Sequence, residues 1–141
     1  MSQAEQGRNE VVIYRLEKAR TTLKEAKDNI IFKSWSLIAN RLFYAAYYAV
    51  SGLLIVYGHR VKSHEGTVSQ FGQYFVKEGL FPPETGRFYH QLFEKRLTGD
   101  YEDNYDLTEE DVMPLFEPTE QLIVEVTAMA KQAMASEQLK E

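Results

Sequence analysis

Sixteen consecutive residues, Leu42 to Tyr57 (LFYAAYYAVSGLLIVY), carry no charge. A membrane span needs about 20 such residues, and Asn40 and Arg41 stop the run upstream. Three tyrosines in its first half favour an interface over a bilayer centre. The segment therefore predicts a helix buried on most of its faces, with the rest of the chain arranged to cover it. A chain of 141 residues suffices for one such core and fits a single domain.

The covering segments are helical too. Val12, Leu16, Ala19, Leu23, Ala26 and Ile30 step alternately by four and three, which predicts a first helix over about Asn9 to Ile30. Ser34 is placed to cap the second helix, and Gly58 to end it in a left-handed position. Val68, Phe71, Phe75 and Val76 mark a third helix that ends by Gly79. Pro82 and Pro83 make a turn. A fourth helix, from about Glu84 to Leu97, has Tyr89, Leu92, Phe93 and Leu97 inside, with Gly99 expected to end it and an acidic loop, Gly99 to Asp106, to follow.

Thr108 and Asp111 form a capping-box pattern. Pro114 and Pro118 predict a short segment and a restart near Pro118. The last helix carries Leu122, Val126, Met129 and Ala133, and Ser136 to Glu141 are expected to fray. No useful strand alternation appears. The expected fold class is all-α: an up-and-down helical bundle of four to five helices, as one domain with its core over about 10–130.

Composition narrows the chemistry. With no cysteine there is no disulfide, thiolate nucleophile or Cys-type zinc site, and a reducing, cytoplasmic setting is expected. The polar N-terminus shows no secretory signal. The net charge of −5 argues against broad coating of nucleic acid and leaves room for a local basic patch. The three histidines (59, 64, 90) form no HExxH site, and phosphate loops, Ser elbows and di-iron Glu-x-x-His pairs are absent. Neither a metal nor a cofactor is expected.

One cluster stands out. His59, Arg60, Lys62 and His64 directly precede the third helix, with Ser63 as its cap and Gly66 in its first turn. Free amides and the helix dipole there suit a phosphate. The plain alternative is a solvated basic link in which Ser63 only caps. Arg41 lies among large apolar residues and needs a partner, with Asp100 and Glu102 as candidates. Arg96 stands four residues before Asp100, so the two can pair at a helix end. Tyr44, Tyr47 and Tyr48 can stack a base or simply pack in the core or at a dimer face. They are part of an aromatic surplus of 13%.

Taken in order, Arg41 to Ala49, Lys62 to Gly66 (KSHEG), Phe75 to Gly79 (FVKEG), and Arg96 with Asp100-Tyr101 resemble the HEPN domain (higher eukaryotes and prokaryotes nucleotide-binding), in particular its small stand-alone bacterial and archaeal members. The likeness spans about residues 10–130. It implies a helical bundle that dimerises, a nucleotide or RNA ligand, and a minimal nucleotidyltransferase as partner in a toxin–antitoxin module. Many HEPN domains are metal-independent ribonucleases with an Arg and a His separated by four to six intervening residues. That spacing is missing here: the positions that would serve His59 hold Gly52, Leu53 and Leu54, those for His64 hold Tyr57, Gly58 and His59, and those for His90 hold Pro83, Glu84 and Thr85. Arg60 and His64 are too close.

The residues that follow the family pattern are Arg41, His64, Arg96, Asp100 and Tyr101. They are expected to converge on one polar cleft, with the arginines holding a phosphate, Asp100 orienting a neighbour, and a neutral His64 acting as base or hydrogen-bond partner. Three readings follow: a nucleotide- or RNA-binding protein, a ribonuclease using His64 with a displaced arginine, or a structural dimerisation module.

Overall fold

The computed structural model describes residues 2–101 and 106–139, with side chains described up to residue 137. The helices are α1 (Gln3–Asp28), α2 (Trp35–Val56), α3 (His64–Phe71), α4 (Pro83–Tyr101), α5 (Glu109–Val112) and α6 (Phe116–Leu139). Among the described residues there are no strands, and no helix is long and apolar enough to cross a membrane.

The uncharged segment is the axis of the bundle. Along α2, Ile38, Leu42, Phe43, Val50, Leu53 and Leu54 are fully buried. It packs against α1, α4 and α6, with α3 against one end. Each fully buried large apolar side chain contributes roughly 1.5–3 kcal/mol relative to exposure, so covering several faces of this helix dominates the energetics. The α1 stripe meets it as expected: Val12, Leu16, Ala19 and Ala26 are buried, and Leu23 and Ile30 pack at its edge.

Several boundaries differ from expectation. Helix α1 begins at Gln3, because the Ser2 hydroxyl accepts from the Glu5 amide. Ser34 precedes α2 without a capping bond from its side chain. After α3 the chain widens into a π-turn (Gly72–Val76). The Thr108–Asp111 capping box is present with both reciprocal bonds. The restart comes at Phe116, two residues before Pro118, so the proline falls in the first turn of α6, where its missing N–H costs nothing. The C-terminal helix runs on through Ser136 to Leu139, and Glu137 is ion-paired to Arg8 of α1.

Gly99 does not end α4, which continues to Tyr101. Its role is close approach: a Cβ there would lie 2.8 Å from Leu107 Cδ1 and 3.2 Å from Ser36 Cβ. This contact seats the end of α4 on the start of α2. The inner face of α4 is also rotated from the expected stripe: Leu97 is half-buried and Arg96 takes the inward position, 8% exposed.

Two predictions test this packing by chemical denaturation. Gly99→Val should cost about 1–3 kcal/mol through overpacking. Leu53→Ala should cost about 2–5 kcal/mol through cavity formation.

Candidate functional site

The buried Arg96 organises a chain of polar contacts. Its Nε donates to Asp100 Oδ2 at 3.0 Å, one turn along α4. Its Nη2 donates to the Tyr44 hydroxyl at 3.2 Å. The guanidinium also lies 5.5 Å from the Phe43 ring centre, 5.3 Å from Tyr44 and 5.7 Å from Tyr101. A buried cation is costly unless paired, and here a carboxylate, a phenol and aromatic faces share it. The expected Arg96–Asp100 pair is therefore present.

Arg41 reaches Asp100 only indirectly. Its Nε and Nη2 donate to Asn40 Oδ1 at 3.0 and 2.8 Å. Asn40 Nδ2 donates to Asp100 Oδ2 at 3.0 Å. Asp100 thus accepts from Arg96 and Asn40, and Asn40 carries the link to Arg41. The other expected partner, Glu102, lies outside the described residues.

His64 joins from the first residue of α3. Its Nδ1 lies 3.2 Å from the Tyr44 hydroxyl. Its ring meets those of Tyr44 and Tyr47 edge-on, with centres 4.9 and 4.7 Å away. From α4, Tyr89 donates its hydroxyl proton to Thr67 Oγ1 at 2.8 Å, and Thr67 donates to the His64 carbonyl at 2.7 Å. Burial pushes the pKa of the Tyr89 phenol above the usual tyrosine range. The pKa of the His64 imidazole falls below its ordinary 6.5, through burial first and the charge of Arg96 second. Neutral His64 is therefore the favoured form.

Arg41, His64, Arg96 and Asp100 are thus brought together, with Tyr44 and Asn40 as connectors, and Tyr101 lies at the rim. The basic link behaves otherwise. Arg60 and Lys62 are exposed and make no described contact with this network. The nearly buried Gln70 holds their backbone, donating to the Arg60 carbonyl at 2.8 Å and accepting from the Lys62 amide at 3.5 Å. Ser63 is a working cap: its hydroxyl accepts from the Gly66 amide at 2.9 Å. Gly66 does not open the backbone to a ligand, because a Cβ there would lie 2.8 Å from Lys62 Cβ. Its space belongs to the lysine stem. His59 is stacked on Tyr74, with ring centres 3.8 Å apart.

Two cations were not apparent from the sequence. Arg15 and Lys18 of α1, with Tyr14, Tyr44, Tyr47, Tyr48 and His64, line a depression of about 310 Å³. Arg15 lies 6.0 Å from the Tyr47 ring centre and 5.9 Å from that of Tyr48. Lys18 lies 5.1 Å from Tyr48. Arg15 also donates to Ser51 Oγ at 3.4 Å. Among the described residues neither cation is ion-paired. The signal was weak: three residues apart, beside the apolar stripe, they read as an ordinary solvated flank. Tyr47 is buried core, while Tyr44 and Tyr48 stay half-buried.

The HEPN domain model matches residues 12–129. The chain belongs to the HEPN domain family. Relatives of this HEPN chain include a "UPF0332 protein" of Thermotoga maritima, 36% identical over 107 residues, covering 74% of this chain and 80% of that protein. A protein of Methanocaldococcus jannaschii bearing the name "putative toxin" is 28% identical over 102 residues, covering 72% and 76%. The crystal structure of TT1696 from Thermus thermophilus superposes with a TM-score of 0.64 at 16% identity, covering 86% of this chain and 97% of that one. At that identity the likeness concerns the fold.

The lowered His64 value has a testable sign. The unfolded chain binds a proton at His64 near pH 6.5 that the folded chain resists, so this contribution to stability is present above pH 6.5 and is lost as pH falls below it. Urea unfolding across that range should show a smaller pH dependence for His64→Gln than for wild type. Equal slopes would contradict the assignment.

Proposed function

We propose that this HEPN protein binds a nucleotide or an RNA strand in the depression between α1, α2 and the start of α3. The observation that carries the reading is the placement of Arg15 and Lys18, free of carboxylates among the described residues, against tyrosine faces and beside His64. Cations that track phosphates, combined with rings that stack bases, are the physical recipe for single-stranded nucleic acid. A face of this size is compatible with a net charge of −5, because the positive groups are concentrated at one place.

The Arg41, Arg96 and Asp100 network supports this face from behind, through Tyr44. Arg96 is committed to Asp100 and Tyr44, so its part in binding is to set the potential and orient Tyr44. This assigns direct phosphate contact to Arg15 and Lys18. A toxin-like role is proposed from the name of the archaeal relative. A second copy of the chain and a minimal nucleotidyltransferase are its proposed partners, in line with the expectation from family likeness.

Fluorescence anisotropy with a short labelled oligoribonucleotide, without added metal, tests the binding. Arg15→Ala and Lys18→Ala should each weaken it several-fold and each lower the slope of log K against log salt by about 0.7. Unchanged affinity in both variants would exclude this face. In the same mixtures, RNA cleavage that disappears in His64→Ala would assign the protein as a metal-independent ribonuclease instead.

A further inference from the structure

The hydrogen-bond directions around Tyr44 determine which nitrogen of His64 carries the proton. A guanidinium has donors only, so the contact between Arg96 Nη2 and the Tyr44 oxygen, 3.2 Å, has Arg96 donating and Tyr44 accepting. The phenol has one proton of its own. Among the described residues, the acceptor bonded to it is His64 Nδ1, also at 3.2 Å. If Nδ1 were protonated instead, the Tyr44 oxygen would face two donors and its own proton would have no protein acceptor. With Tyr44 donating to Nδ1, both contacts to the Tyr44 hydroxyl are hydrogen bonds and its own proton has an acceptor. The one proton of a neutral imidazole then sits on Nε2, which has no hydrogen bond among the described residues.

We propose that Tyr44, set by Arg96, is a positioning residue that holds His64 in the Nε2–H form, so that the imidazole adds a third donor to the two cations of the depression and suits it to a phosphoryl oxygen. Nε2–H, the Arg15 guanidinium and the Lys18 ammonium can all donate, and none can accept. The matching guest presents acceptors: a phosphate or a phosphodiester. The same arrangement bears on catalysis. A base acting on a ribose 2′-hydroxyl needs a bare nitrogen facing the ligand, and the bare nitrogen of His64 is already engaged by Tyr44. His64 is thereby a binding donor rather than the general base expected of a neutral histidine. The choice of a phosphoryl guest rests on the reading of the depression given above; the assignment of the tautomer does not.

The two parts are separated by one nitrogen-15 experiment. Long-range proton–nitrogen correlation spectra of the labelled protein are recorded above the titration range of an ordinary histidine, with and without inorganic phosphate. Wild type should show His64 protonated at Nε2 and bare at Nδ1. Tyr44→Phe, which removes only the hydroxyl, should shift His64 toward a mixture of tautomers. Phosphate should move the His64 Nε2 signal in wild type, at a several-fold higher concentration in Tyr44→Phe. Protonation at Nδ1 in wild type, or an unchanged tautomer in a folded Tyr44→Phe, overturns the positioning role. If Tyr44→Phe does not fold, the wild-type spectrum alone decides between the tautomers. A wild-type Nε2–H form that phosphate leaves unmoved supports the positioning role and overturns the phosphoryl site.

Discussion

An uncharged helix in the middle of a small chain has to be covered on several sides at once, and that requirement organises this molecule. Helix α2 is wrapped by α1, α4 and α6 because no single neighbour could hide Phe43, Leu53 and Leu54 together. The same wrapping brings polar chemistry to its first half. Tyr44, Tyr47 and Tyr48 end up between the cations of α1 on one side and Arg96 of α4 on the other. The site is thus a by-product of core formation: the helices that must bury α2 also deliver charge to its aromatic face.

Burying a guanidinium opposes this arrangement and shapes it. Arg96 occupies a position on α4 where a leucine would satisfy the helical stripe. Its desolvation is offset by Asp100, by the Tyr44 oxygen and by three ring faces. Those partners come from two helices, so the pairing also specifies how α4 sits on α2. Gly99 reinforces that seating three residues further on, where no side chain would fit against Ser36 and Leu107.

Much of this was legible in the sequence, and the remainder follows a pattern. Periodicity located the major helices, because apolar steps of three and four report a buried stripe directly. Gly58 and Thr108 acted as read, one by its left-handed backbone and the other by its capping box. Gly99 and Gly66 were misread, since a glycine needed for close approach looks the same in a sequence as one that ends a helix or admits a ligand. The grouping of Arg41, His64, Arg96 and Asp100 was anticipated from family resemblance, but its connectors, Tyr44 and Asn40, were not. A hydroxyl bridging two helices leaves no local pattern. Arg15 and Lys18 were missed for a related reason: a charged flank beside an apolar stripe gains its meaning only from the rings of another helix.

His64 is held from two directions. Its ring is tied to α2 through Tyr44, and its carbonyl to α4 through Thr67 and Tyr89. A side chain free in solvent loses rotamer entropy when a ligand fixes it, at a cost of roughly 0.5–1.5 kcal/mol. For His64 much of that ordering is completed when the bundle folds. The proposed binding at this residue is therefore tied to the integrity of the whole helical core: a substitution that loosens α4 on α2, however distant from the depression, returns the imidazole to a wider set of orientations and would weaken that binding without touching the ligand.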